Sequence, residues 1–245
     1  MLPITSAQNH HIKQIKSLDD KKSRRELGLF VAEGLAMLER ALDLGWVPEQ
    51  FIATKPTRIW DDVAPLVVSE KIMSELSAHN NPQDVLATFK QRWQPHPGKQ
   101  GQWLALEDIR DPGNLGSIIR TADAAATAGI ILVGDCCDPY APECVRASTG
   151  SIFATTLTRM PQEQCVDFIK AWPGESVGTA MHAKADYRRT YDTPTLIVMG
   201  SESRGLSKQL SAACTTMVSI PMKPGVESLN LATATALMLY AVNPQ

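Results

Sequence analysis

Between Trp103 and Ile220 five short apolar runs recur, at Trp103–Leu106, Ile130–Val133, Ser176–Ala180, Leu196–Met199 and Met217–Ile220, with long stretches between most of them. Antiparallel strands can be joined by a two-residue hairpin, whereas parallel neighbours need a crossover of about a dozen residues or more, usually helical. The first gap contains Ser117 to Ala128, an alanine-rich stretch closed by Gly129, which predicts a helix with a glycine stop. After the last run, Leu231, Ala234, Met238 and Ala241 form one stripe and predict a helix from Leu231 to Val242. Strands alternating with helices predict an α/β fold with a mostly parallel sheet covered on both faces.

A second, smaller unit precedes it. The segment Gln94-Pro95-His96-Pro97-Gly98-Lys99-Gln100-Gly101-Gln102 has no large apolar side chain and cannot bury a face, so it predicts a linker. It divides the chain into residues 1 to about 97 and about 103 to 245, in keeping with the one large or two modest domains expected of this length. In the first part Leu29-Phe30-Val31-Ala32 predicts a strand. A helix bearing Leu35, Leu38 and Leu42 and closed by Gly45 follows it. Phe51-Ile52-Ala53, Leu66-Val67-Val68 and Val85 to Phe89 predict further strands, and Ser69 is placed to cap a helix carrying Ile72 and Leu76.

Composition narrows the possible partners. A formal net charge of −2 excludes a global polycation, so any nucleic-acid contact must come from a local patch. The densest patch runs from His10 to Arg25, where Lys13, Lys16, Lys21, Lys22, Arg24 and Arg25 face only Asp19 and Asp20. Such a run serves either as a solvated helix face or as a surface that tracks phosphates. No run of about 18 apolar residues is present to span a membrane. The opening MLPITSAQNHHIKQIK lacks the apolar core and cleavage site of a secretory signal. Five cysteines without a CxxC pair, and five histidines without HxxxH or HExxH spacing, predict free thiols in a reducing cytoplasm and no metal site.

Three segments that follow predicted strands depart from ordinary connecting loops. Position matters here, because ligands of open parallel sheets collect at the carboxyl ends of strands. In the first, Glu107 to Arg120, Asp111-Pro112-Gly113-Asn114 is a turn by composition, with Asn114 near a helix start and Arg120 within its second turn. That pair can form an anion-binding corner, or Arg120 can simply snorkel from a surface helix. In the second, Met199-Gly200-Ser201-Glu202-Ser203-Arg204-Gly205-Leu206, Gly200 and Gly205 bracket a tight loop that lets backbone approach a ligand. It is neither GxGxxG nor a P-loop, and an ordinary strand-to-helix turn would read the same way. The third, Ile220-Pro221-Met222-Lys223-Pro224-Gly225-Val226-Glu227-Ser228-Leu229-Asn230, opens the final helix, with Ser228 or Asn230 as its cap.

Together these segments resemble the signature of the SpoU (TrmH-type) branch of the SPOUT methyltransferases. The first motif is carried by Asn114, Gly116 and Arg120, and the second by Gly200, Glu202 and Gly205. The third is carried by Ile220-Pro221-Met222 with Ser228-Leu229-Asn230. The likeness spans Trp103 to the C-terminus and includes Arg146-Ala147-Ser148 with Gly150 between motifs. The chain departs from the pattern at Pro224, where glycine is common, and at Leu231, where valine is frequent. Residues from Ile4-Thr5-Ser6 to Gly28-Leu29-Phe30-Val31-Ala32-Glu33-Gly34 are similar to the small RNA-binding domain of rRNA-modifying members.

The resemblance implies a C-terminal SPOUT domain threaded as a trefoil knot, a topology that general rules would argue against. It implies a homodimer with the active site near the subunit interface, an RNA substrate, and S-adenosylmethionine held by Thr179, Gly200, Gly205, Ile220 and Leu229. It implies catalytic roles for Asn114, Arg120, Glu202, Ser228 and Asn230 in 2′-O-ribose methylation, and RNA contacts for Lys21, Lys22, Arg24 and Arg25. A guanidinium rarely gives up its proton, so Arg120 is better suited to holding a phosphate and stabilising a developing alkoxide than to acting as a base. The appended domain favours ribosomal over transfer RNA. Rival readings are a tRNA 2′-O-methyltransferase, a noncatalytic RNA-binding relative, a base methyltransferase and a dinucleotide-dependent oxidoreductase. The last lacks the glycine fingerprint and the ribose-binding acid.

Overall fold

The computed structural model describes residues 3–78, 81–226 and 228–242. The chain divides into two compact units, and the division is not a single cut: residues up to Gln91 join with Asp138–Ala154, while Arg92–Cys137 joins with the residues from Thr155 onward. Up to Gln91 the elements are α1 (His10–Ser17), α2 (Lys21–Leu27), β1 (Leu29–Glu33), α3 (Leu35–Asp43), β2 (Gln50–Ala53), β3 (Leu66–Val67), α4 (Glu70–Leu76) and β4 (Val85–Lys90). Then come β5 (Gln102–Glu107), α5 (Pro112–Ala124), β6 (Gly129–Val133), α6 (Pro142–Ser148), β7 (Leu157–Met160), α7 (Gln162–Lys170) and β8 (Glu175–Thr179). The chain continues through β9 (Ala185–Asp186), β10 (Thr195–Met199), α8 (Lys208–Ala213), β11 (Thr216–Ser219) and α9 (Leu231–Val242).

In the first unit, side-chain oxygens cap the helices where the sequence supplies them: Asn9 for α1, Asp20 for α2 and Ser69 for α4. The sheet runs β1-β4-β2-β3, antiparallel except for the β2–β3 pair. Ile12 and Ile15 of α1 and Ile72 and Met73 of α4 cover Ile52 and Leu86. A separate aromatic core joins Phe30, Trp46 and Phe89 to two rings from the distant segment. Phe30 lies 4.8 Å from Tyr140 and Phe89 lies 4.9 Å from Phe153, centroid to centroid. Trp46 Nε1 donates to the Phe153 carbonyl at 2.9 Å. The sequence pattern predicts one piece from 103 to 245; Asp138–Ala154, with α6, instead completes the core of the first unit, because two large aromatic side chains are buried there.

The second unit holds a seven-stranded sheet in the order β7-β6-β5-β10-β8-β11-β9, each pair of neighbours parallel. Strands β5, β6 and β10 are buried at every position, as a sheet covered on both faces requires. On one face Cys165 and Ile169 of α7 and Leu210 of α8 meet Trp103, Ala105, Ile131, Val133, Leu196 and Val198. Helices α5 and α9 pack on each other and against β6 and β10. The predicted final helix is observed from Leu231 to Val242. The predicted Ser117–Ala128 helix is shifted. It begins at Pro112, because Asp111 caps it and proline suits the first helical position, and it ends at Ala124. Gly129 is the first residue of β6 rather than a helix stop. Among the described residues no helix is long and apolar enough to cross a membrane.

Candidate active site

Sheet order brings the unusual segments together. β5, β10, β8 and β11 are successive parallel neighbours, so the loops leaving their carboxyl ends emerge along one edge, strand spacing apart. Three of those loops, after β8, β10 and β11, surround a pocket of about 770 Å³, inside the range usual for small-molecule sites. Of the residues singled out in the sequence, Thr179, Gly200, Glu202, Gly205, Ile220, Ser228 and Leu229 line it. Met199, Leu206 and Leu231 add apolar surface.

The loop after β10 is a tight turn: Gly205 N–H donates to the Ser201 carbonyl at 2.8 Å, and Gly205 takes a positive φ of 65°. A Cβ on Gly200 would stand 2.0 Å from the Gly205 carbonyl carbon, so a side chain there would force the turn open. The glycines are thus required by the loop's own closure. Thr179 Oγ1 at the end of β8 reaches Met199 Sδ at 3.5 Å, fixing the pocket wall between the two strands.

Asn114 ties the three motifs together. It sits in the first turn of α5, where its N–H donates to the capping Asp111 carboxylate at 2.6 Å. Its side-chain amide donates to Glu202 on the pocket wall, and its carbonyl oxygen accepts from Asn230 Nδ2 at 2.9 Å. Asn230 Oδ1 in turn accepts from Thr233 N–H at 3.2 Å, so it caps α9 and joins the polar chain at once. The capping and functional readings of Asn230 are therefore compatible. Ser228 lines the pocket.

Arg120 is placed differently. It lies beyond the second turn of α5, clear of the positive end of the helix dipole, because the helix begins at Pro112. Six residues past Asn114 put it about 9 Å further along the axis and on another face. It is exposed, does not line the pocket, and has no hydrogen-bond or ion-pair partner among the described residues. Asn114 and Glu202 meet; Arg120 stands apart from them.

In the first unit, Lys21, Lys22 and Arg25 are exposed on α2, Lys22 with only a loose 3.9 Å ion pair to Glu26. Arg24 overturns the expectation of RNA contact. It is 4% exposed, its Nε donates to Asp138 at 2.8 Å, and Nη1 donates to the Leu18 and Asp19 carbonyls at 2.7 and 2.9 Å. Its guanidinium is consumed by the interior, because α2 turns that face toward the segment carrying Asp138. Sequence reasoning also misses Met181, His182 and Arg204, which line the pocket. Their only advance signal is position after β8 and β10.

Comparison with known proteins agrees with this geometry. The SpoU rRNA Methylase family matches residues 102–240, and the MRM3-like substrate binding domain matches residues 9–87. An uncharacterized tRNA/rRNA methyltransferase of Synechocystis is 33% identical over 99% of this chain and 93% of its own length. The 23S rRNA (guanosine(2553)-2′-O)-methyltransferase RlmP of Bacillus subtilis is 29% identical over 98% of each chain. The AdoMet-bound rRNA methyltransferase of Sinorhizobium meliloti superposes with a TM-score of 0.89 at 38% identity, covering 98% of this chain and 96% of that one. The SpoU methyltransferase AviRb of Streptomyces viridochromogenes, in complex with AdoMet, gives a TM-score of 0.84 at 28% identity, covering 96% and 97%.

Proposed function

Because the chain belongs to the SpoU rRNA methylase family, we propose that it transfers a methyl group from S-adenosylmethionine to a ribose 2′-hydroxyl of ribosomal RNA. The observation that carries the reading is the convergence of three separate motif loops through Asn114, Glu202 and Asn230 at the rim of one pocket. Ribosomal RNA is favoured over transfer RNA by the match of residues 9–87 to a substrate-binding domain and by the named activity of the Bacillus relative.

The pocket suits the donor chemically: an apolar floor for a flat base, glycine backbone that permits close approach, and polar groups at the rim. S-adenosylmethionine supplies a methyl group already made electrophilic by its sulfonium. What the chain must add is alignment, which can be worth about 7–11 kcal/mol in favourable cases. Backbone around Thr179, Gly200, Gly205, Ile220 and Leu229 holds the donor, while Glu202, Asn114, Ser228 and Asn230 position the ribose. Arg120, exposed and without a protein partner among the described residues, holds a phosphate of the RNA and steadies negative charge growing on the attacking oxygen. Lys21, Lys22 and Arg25 track the RNA backbone elsewhere.

We infer three further properties. The chain forms a homodimer through α9, where Leu237 and the half-exposed Tyr240 join Tyr187 to line a shallow apolar groove of about 490 Å³. The loops after β10 and β11 belong to a trefoil knot, and the protein works in the cytoplasm beside its ribosomal substrate. The test is transfer of labelled methyl from S-adenosylmethionine to rRNA taken from cells lacking the gene. Label in 2′-O-methyl nucleosides is expected; label confined to methylated bases, or no transfer, overturns the assignment.

A further inference from the structure

One buried side chain near the pocket has no role in the chemistry above. Glu107, the last residue of β5, is 4% exposed, and among the described residues no cation pairs with it. A carboxylate taken out of water without a counter-charge is costly and persists only where its oxygens are well satisfied. Both oxygens are. Oε2 accepts from the Ser207 N–H at 2.7 Å and Oε1 from Gln162 Nε2 at 2.9 Å. The same Gln162 nitrogen donates to Ser207 Oγ at 2.9 Å, and that oxygen accepts the Leu210 N–H at 3.3 Å to cap α8. Burial first, then for Cys165 the charge of Cys214, and for both the charge of nearby Glu107, together push the thiols of Cys165 and Cys214 up to about 12.

Ser207 immediately follows the Gly200–Leu206 loop that walls the pocket. The loop's entry is fixed by β10, and its middle by the Ser201–Gly205 closure. Its exit is fixed by Glu107. We propose that Glu107 is a positioning residue of the donor pocket, holding the exit of the Gly200–Leu206 loop through Ser207 and Gln162 so that the wall stands in its binding shape before the donor arrives. Neither Glu107 nor Gln162 lines the pocket, so any effect on the donor passes through the loop. This rests on the donor reading of that pocket.

The experiment titrates S-adenosylmethionine calorimetrically into the full chain and into Glu107→Ala, Glu107→Gln and Gln162→Ala, with methyl transfer and thermal unfolding measured in parallel. Loss of a hydrogen bond to a charged acceptor predicts donor affinity weaker by about tenfold or more in Glu107→Ala, with KM for the donor rising and kcat at saturating donor within about threefold. Glu107→Gln should recover affinity to within about threefold, since its amide oxygen can still accept the Ser207 N–H and Gln162 can turn its own amide to match. Gln162→Ala should fall between the two, and it decides the matter if Glu107→Ala does not fold. Unchanged donor affinity in both Ala variants overturns the proposal, as does a loss in kcat with KM unmoved. Failure of the wild-type chain to bind the donor overturns the pocket reading itself.

Discussion

Arg24 and Arg120 look alike in the sequence, each a cation on a short helical stretch and each a candidate to meet RNA, yet the fold treats them in opposite ways. α2 carries Arg24 into the interior of the first unit, where Asp138 and two carbonyls take up the guanidinium. α5 carries Arg120 into solvent and gives it no partner among the described residues. The lesson is that a cation's role follows from whether the chain supplies acceptors for it. A buried guanidinium with three acceptors is structure, and an exposed one with none is available to a phosphate.

The contrast can be broken most directly by truncation. Arg24→Ala removes a buried guanidinium that bonds Asp138 and two carbonyls, which should cost about 3–5 kcal/mol in denaturant unfolding. Arg120→Ala should cost no more than about 0.5 kcal/mol by the same measurement. Equal losses would erase the distinction. A third arginine sharpens it. Arg189 is exposed and donates to Glu175, which is 8% exposed at its side chain. Burial pushes the Glu175 carboxyl up, but hydrogen bonds from Arg189, Thr216 and the Asp192 N–H outweigh it and hold the group below its ordinary 4.5. A carboxyl with a lowered folded pKa stabilises the fold at neutral pH, and that stability drains away as pH falls below about 4.5 toward the lower folded value. Acid titration should therefore show a stability loss in that window that Glu175→Gln lacks; an identical acid limb in both proteins would contradict it. The smallest effect concerns Arg24's neighbours. Lys21→Ala/Lys22→Ala/Arg25→Ala should leave unfolding nearly unchanged while lowering the salt slope of RNA binding by about 2, at roughly 0.7 for each phosphate no longer neutralised. An unchanged slope removes α2 from the RNA surface.

Much of the second unit is legible in the sequence because strand runs and motif loops are local patterns. Asn114, Glu202 and Asn230 stand out through the family resemblance of their loops, and the structure places them in one hydrogen-bonded chain. That they meet depends on β10 lying beside β5 in the sheet, which no local pattern states. The start of α5 is hard to place because Pro112 and Gly113 suggest a turn until Asp111 is recognised as a cap. Arg24 misleads for a plainer reason: its partner lies 114 residues away, across the linker and three elements of the other unit. The segment bearing that partner reads as part of the sheet domain until Tyr140 and Phe153 are seen among the first unit's rings.

Two claims are coupled at Arg120: the donor pocket does not include it, and the transfer step needs it. Calorimetric titration of S-adenosylmethionine into Arg120→Ala, paired with methyl transfer to rRNA by the same preparation, tests both halves at once. Donor affinity within about twofold of wild type, with transfer down on the order of 10²-fold or more, is the predicted result. Transfer at the wild-type rate, or loss of donor binding together with transfer, would contradict it.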